Sequence, residues 1–156
     1  MIILGIDPGS RITGFGVIKS VKQKQQYIAS GCIKIIGNDW SLRLKQIYDD
    51  LLTIIKEYQP DYISIEKVFV HKNPNSALKL GQARGAAIVS AATLGFKVHE
   101  YFPRQIKQAI VGYGNANKQQ VQQMVKILLG LNKIPKEDAA DALAIAMCHG
   151  LMLYAI

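Results

Sequence analysis

Four carboxylates stand where an apolar segment stops or a helix begins. They are Asp7 after Ile2-Ile3-Leu4-Gly5-Ile6, Glu66 after Tyr62-Ile63-Ser64-Ile65, and Asp138 with Asp141 in Lys136-Glu137-Asp138-Ala139-Ala140-Asp141. A carboxylate that closes a buried strand is held rigidly at the edge of a sheet. Acids at i and i+3 project from one face of a helix, so distant segments can converge on hard cations. Four such charges repel one another unless protons or cations neutralise them. Metal is the useful neutraliser, because two ions roughly 3.5 to 4 Å apart stabilise the attacking and leaving oxygens of a phosphodiester together. The chemistry this implies is that of a nuclease.

Each acid also has an ordinary reading. Asp138 and Asp141 could cap the final helix and favour its positive N-terminal dipole. Asp7 could serve the Asp7-Pro8-Gly9 turn through its own side chain. Glu66, at the end of a strand, has no capping duty to perform. All four ordinary readings must hold at once to dismiss the site.

The charge balance points the same way. The chain of 156 residues carries a formal net charge of +8. From Lys67 to Lys136 there are eleven basic residues (Lys67, Lys72, Lys79, Arg84, Lys97, Arg104, Lys107, Lys118, Lys126, Lys133, Lys136) against the single acid Glu100. Scattered lysines usually mark solvated helix faces, but so lopsided a half suits a polyanionic partner. Cys32 and Cys148 lie far apart in apolar contexts and read as reduced core thiols, not as a disulfide framework or a thiolate metal site. His71, His99 and His149 show no mutual ligand spacing. The first apolar run ends at Asp7 with no basic region ahead of it, so it is not a secretory signal, and no apolar stretch approaches the roughly 20 residues that cross a bilayer. A cytoplasmic location is expected.

The elements that must position the acids follow from the patterning. Ile2 to Ile6 reads as a central buried strand ended by Asp7-Pro8-Gly9-Ser10. Thr13 to Ser20 and Tyr27 to Ile36 are expected as strands joined by a polar turn over residues 22–26. Leu44, Ile47, Leu51, Ile54, Ile55 and Tyr58 recur at helical spacing, with Ser41 as the expected N-cap and Pro60 as terminator, before the strand Tyr62 to Glu66. A helix over 76–94, a strand over 97–102 and helices over 104–111, 118–129 and 137–154 complete the order βββαβαβααα. This predicts an α/β sandwich around a five-stranded mixed sheet, formed by residues 1–156 as one domain. With the first strand central and the fourth beside it, Asp7 and Glu66 fall side by side, and the last helix brings Asp138 and Asp141 over them.

These residues resemble a known family. Gly5-Ile6-Asp7-Pro8-Gly9-Ser10-Arg11-Ile12-Thr13-Gly14, Ile65-Glu66-Lys67-Val68-Phe69, the block from Asn75 to Gly85, and Asp138-Ala139-Ala140-Asp141-Ala142-Leu143-Ala144 look like the RuvC family of bacterial crossover-junction endodeoxyribonucleases. The resemblance runs from Ile3 to about His149. It implies a ribonuclease-H-like fold and a homodimer. The expected activity is resolution of four-way (Holliday) DNA junctions by paired, Mg²⁺- or Mn²⁺-dependent cuts in strands of like polarity, in recombination and repair. It further implies two metal ions held by Asp7, Glu66, Asp138 and Asp141, DNA contacts by Phe69, Lys107 and Lys118, and cooperation with the RuvA and RuvB branch-migration proteins. An aromatic ring in a loop beside Glu66 could stack on an unpaired base, or lie buried under the loop. The small residues from Ala83 to Ala92 would let two helices approach across a two-fold axis, or pack on the sheet.

Three other readings compete. The Gly5 to Ser10 turn also resembles the phosphate loop of actin-like ATPases and sugar kinases, which need two such domains and a longer chain. YqgF-type ribonuclease-H-like proteins share a related first motif but not the Phe69 loop or the Asn75 to Gly85 block. A junction-binding protein without catalysis would not require four intact carboxylates. Many RuvC relatives carry a further polar or basic tail beyond the point matching Ile156, and contacts made by such a tail are not assumed for this sequence.

Overall fold

The computed structural model describes residues 1–67 and 73–155. Its elements are β1 (Ile2–Asp7), β2 (Ile12–Val21), β3 (Lys24–Lys34), α1 (Trp40–Tyr58), β4 (Tyr62–Glu66), α2 (Pro74–Thr93), β5 (Val98–Tyr101), α3 (Pro103–Val111), α4 (Lys118–Leu128) and α5 (Glu137–Met152). The expected order βββαβαβααα is present, and the strands form one sheet in the order β3-β2-β1-β4-β5. β1 pairs antiparallel with β2 and β2 with β3, while β1–β4 and β4–β5 are parallel, so the sheet is mixed.

Alternation along the central strands sends side chains to two separate cores. Leu4, Ile6, Val17 and Ile63 face α1 and α2, where Ile47, Leu51, Ile55, Ala83, Ala87 and Ala91 are buried against them. Ile3 and Ile18 face the opposite layer, packed with Leu143 and Met147 of α5, Ile106 and Ile110 of α3, and Val121 and Val125 of α4. α5 is buried nearly continuously from Ala139 to Gly150, as a helix lying between a sheet and two further helices must be.

Some boundaries differ from the expected ones for physical reasons. The turn between β2 and β3 involves only Lys22 and Gln23, both with positive φ (47° and 70°), so β3 begins at Lys24. A two-residue hairpin of this kind matches the strand twist and outweighs the poor β-propensity of the Lys24-Gln25-Gln26 run. α1 is capped by Asp39, not Ser41: the Asp39 carboxylate accepts from Leu42 N at 3.0 Å and from the Ser41 hydroxyl at 2.5 Å. α2 starts at Pro74 because Asn73 caps it through Asn75 N, and Pro fits the first helical turn. Most of the small residues from Ala83 to Ala92 that are buried, namely Ala83, Ala87 and Ala91, pack into the body of the molecule.

α5 approaches the sheet closely because β1 and β2 present glycines beneath it. Gly5 lies opposite Gly16 and Asp7 opposite Gly14 in the β1–β2 register. A β-carbon on Gly16 would stand 2.6 Å from Leu143 N, and those on Gly5 and Gly14 would stand closer still to the carbonyl oxygens of Ala142 and Asp138. Three strands then pin the helix: Gln25 Nε2 donates to Met147 O at 2.9 Å, Ser64 Oγ to Ile145 O at 3.3 Å, and the Tyr101 hydroxyl meets His149 Nδ1 at 2.6 Å. Adding a methyl group beneath α5 forces the helix off the sheet, and such overpacking costs about 1–3 kcal/mol or more. Gly16→Ala is therefore expected to lower the thermal midpoint by at least roughly 3 °C. An unchanged midpoint in a metal-free thermal melt would show that α5 does not rest on this glycine floor.

Candidate active site

Asp7 and Glu66 end the two neighbouring parallel strands, in a register that sets Ile6 opposite Ile65. Period-two alternation puts Gly5 and Asp7 on the face covered by α5, together with Ser64, which bonds to α5, and Glu66. Asp138 and Asp141 lie in the first two turns of α5, and the Asp138 carbonyl sits over Gly14, the register partner of Asp7. The N-cap position of α5 is Lys136, with no side-chain capping hydrogen bond, so capping accounts for neither aspartate.

The electrostatics show how close the acids are. Burial raises the Asp7 carboxyl to about 8, and the nearby charges of Asp141, Glu66 and Asp138 raise it too, against the opposing charge of Lys118. Glu66 is raised by burial and by Asp141, with Lys107 and Lys118 opposing. Asp141 is raised by burial, and Lys118 again opposes. The acids thus form one repelling, partly desolvated cluster.

Lys118, the first residue of α4, reaches into this cluster. Its Nζ pairs with Glu137 and stands 3.2 Å from Asp141 Oδ2. Burial alone would lower its pKa, but the pairing with Glu137 and Asp141 wins and holds it above the ordinary lysine range. Lys107 of α3 lines the same recess, a cavity of about 220 Å³ walled by Glu66, Asp141, Lys118, Pro103 and Ile106 among others. Two acids from different elements and both expected lysines therefore share one opening. Phe69 lies outside the described residues.

Several positioning contacts were not legible in the sequence. Arg84 of α2 donates from Nε to the Glu66 carbonyl at 3.3 Å and pairs through its guanidinium with Glu100, tying the end of β4 in place. The loop after Asp7 is fixed by Thr13 Oγ1 against Gly9 and by Arg43 Nη2 donating to Ser10 O at 2.7 Å. Glu137 stands next to Asp138, and that adjacency was the one available hint that it holds Lys118. His99 and His149, read as unrelated, stack with ring centroids 4.4 Å apart beside Tyr62 and Tyr101. Burial and His99 depress His149 to about 4, so it packs as a neutral ring under α5.

Among the described residues, no three His, Cys, Asp or Glu side chains are already drawn around one point as a closed metal shell. The donor chemistry nevertheless fits divalent cations. All four groups are hard oxygen donors, their repulsion is only partly relieved by Lys118, and the recess opens to solvent. Without metal, the unfolded chain ionises Asp7 near 3.8 while the folded chain holds the proton until about 8. Between those values the folded state binds more protons, so stability falls as pH rises and levels off above the folded value. Asp7→Asn should flatten this slope and raise metal-free stability at pH 8 by on the order of 1 kcal/mol or more. Chemical denaturation in chelator between pH 4 and pH 8.5 checks this, and an unaltered slope would contradict it.

Comparison with known proteins adds a third line. Residues 3–149 match the family model described as crossover junction endodeoxyribonuclease RuvC. The chain is 60% identical over 148 residues to the crossover junction endodeoxyribonuclease RuvC of Pseudoalteromonas atlantica, covering 95% of this chain and 86% of that one. It is 58% identical over 151 residues to the protein of the same name from Marinobacter nauticus, covering 97% and 86%. Its structure resembles that described as T. thermophilus RuvC in complex with Holliday junction substrate, with a TM-score of 0.92, 33% identity, and 98% and 94% of the two chains covered.

Proposed function

The chain belongs to the RuvC family of crossover junction endodeoxyribonucleases, and from that premise we propose that Asp7, Glu66, Asp138 and Asp141 are the groups with which it hydrolyses junction DNA. The fold is ribonuclease-H-like. The activity is metal-dependent resolution of Holliday junctions, in recombination and repair. The observation that carries the assignment of residues is the charge cluster: Asp7 is raised to about 8 with three other acids contributing to that rise.

Two Mg²⁺ ions, or Mn²⁺ in their place, would be held by these four carboxylates and would supply an activated water and charge stabilisation at the departing 3′ oxygen. The chain's own residues do the rest. The backbones of Asp7 and Glu66 are held by the sheet, and that of Glu66 also by Arg84, so both carboxylates start from fixed strand ends when the substrate arrives. Asp138 and Asp141 are carried by a helix pinned to three strands. Lys118, already at the acid cluster, exchanges Asp141 for a non-bridging phosphate oxygen and offsets the charge that builds on phosphorus, while Glu137 keeps its hold on the same ammonium. Lys107, which lines the same recess, meets an adjacent phosphate. The Phe69 ring stacks on a base at the opened crossover.

Paired cutting calls for two sites related by a two-fold axis, hence a homodimer. The outer stripe of α2 suits that interface: Leu78 and Val89 are 66% and 54% exposed, and Gly81 and Gly85 between them have open space where a side chain would be. RuvA and RuvB would deliver the junction. Among the described residues, no helix is long and apolar enough to cross a membrane; the chain's place of work would be the cytoplasm, where the junction DNA lies.

A synthetic four-way junction incubated with Mg²⁺ should receive paired nicks near the crossover, whereas linear duplex is spared. Asp7→Asn should abolish cutting but keep junction binding, and Lys118→Ala should slow single-turnover cleavage by about 10²-fold or more. Cutting by Asp7→Asn at the wild-type rate would refute the assignment. Leu78→Glu with Val89→Glu should give a monomer in sedimentation velocity that nicks junctions singly. A dimer that persists would move the interface elsewhere.

A further inference from the structure

We propose that the groove between β3 and the α4–α5 connection is a second seat for DNA, taking a junction strand as it runs on from the scissile phosphate. This rests on the junction-nuclease reading and extends it to the far side of α5 from Lys107. The groove has a volume of about 730 Å³, and its walls include Tyr27, Cys32 and Lys34 of β3 with Lys133, Lys136 and Ala139. Among the described residues, no carboxylate lines it. Its three lysines are exposed, and among the described residues none has an acid within 4.0 Å. A concave surface with three unneutralised ammonium groups and no acid is complementary to a phosphodiester backbone.

The groove lies beside the acid cluster, across the first turn of α5, so a strand passing from one to the other rounds the start of that helix. Ala139 on its wall follows Asp138, and Cys32 on its floor pairs with Gly14, which pairs in turn with Asp7. Two inter-strand steps, about 10 Å, therefore separate the floor from Asp7. That is the reach of a few nucleotides at roughly 3.4 Å of axial rise each. Tyr27, 41% exposed with its hydroxyl 3.1 Å from Ser30 Oγ, offers an aromatic ring on the β3 wall, toward the opposite end of the strand from Lys34, on which a base can stack. Cations on both walls and a ring on one are the composition expected of a surface that tracks a strand without reading its sequence. Lys34, Lys133 and Tyr27 act here as positioning residues, away from the reacting phosphorus.

The test compares Lys34→Gln/Lys133→Gln with Lys45→Gln/Lys56→Gln, a pair on α1 that removes the same charge from the opposite layer. Both are placed in an Asp7→Asn background, and binding to a fluorescent four-way junction is followed by anisotropy across a KCl series. The groove pair should make the plot of log Kd against log salt shallower by about 0.9 per lysine removed, and the α1 pair should leave it unchanged. Tyr27→Ala should weaken binding severalfold, and Tyr27→Phe should restore it. With Asp7 intact, the groove pair should keep a saturating single-turnover cleavage rate within about twofold of wild type while requiring more enzyme to saturate. A groove pair with the wild-type slope, or an α1 pair that shifts the slope equally, overturns the proposal. Failure of the Asp7→Asn parent to bind the junction at all would instead overturn the functional reading beneath it.

Discussion

The closeness of α5 to the sheet governs the molecule. Asp138 and Asp141 can stand with Asp7 and Glu66 only if the helix backbone rests almost on the strands, and Gly5, Gly14 and Gly16 leave the room for it. The helix answers with alanines, so both partners sacrifice side-chain burial at the contact. What they gain is placement: a rigid helix terminus held over a rigid strand end. The hydrogen bonds from Gln25, Ser64 and Tyr101 grip α5 between Ile145 and His149 and oppose sliding, which would carry both aspartates out of register with Asp7.

Once the acids are fixed, the remaining structure manages their charge. Burial and mutual repulsion oppose ionisation of Asp7, Glu66 and Asp141, and a rigid frame cannot relax to separate them. Lys118 relieves part of this and is itself anchored by Glu137, outside the four-acid set. A cation tethered by an acid outside the cluster can leave Asp141 without leaving the site. This is how one side chain can answer both to the acids and to a phosphate. The basic second half of the chain is split by α5 into Lys107 and Lys118 on one flank and Lys133 and Lys136 on the other.

How much of this was readable in the residues depends on the range of the forces involved. Strand ends and helix starts are local, so Asp7, Glu66, Asp138 and Asp141 could be placed on their elements from apolar patterning, and the element order followed. Lys107 and Lys118 were assigned by resemblance alone; their meeting in one recess depends on how α3 packs against α4, which no periodicity encodes. The glycine floor was visible as Gly5, Gly14 and Gly16, yet its meaning required knowing that β1 and β2 pair with Gly5 opposite Gly16. The turn expected over residues 22–26 closes in Lys22-Gln23 alone, unsignalled because neither residue advertises positive φ, and the cap of α1 falls on Asp39, two residues before the expected Ser41. Arg84 looked like one more surface cation until the fold set it against the end of β4.

The central claim is that packing of α5 on the sheet creates a carboxylate cluster which a divalent cation, not a proton, is meant to neutralise. The most direct measurement is proton release when Mn²⁺ is added to the DNA-free protein at pH 7, followed by calorimetry in buffers of different ionisation enthalpy. With Asp7 near 8, binding should expel close to one proton per chain at pH 7, and Asp7→Asn should expel far fewer. Metal binding to the wild-type chain with no proton released, or with the same release from Asp7→Asn, would contradict the account.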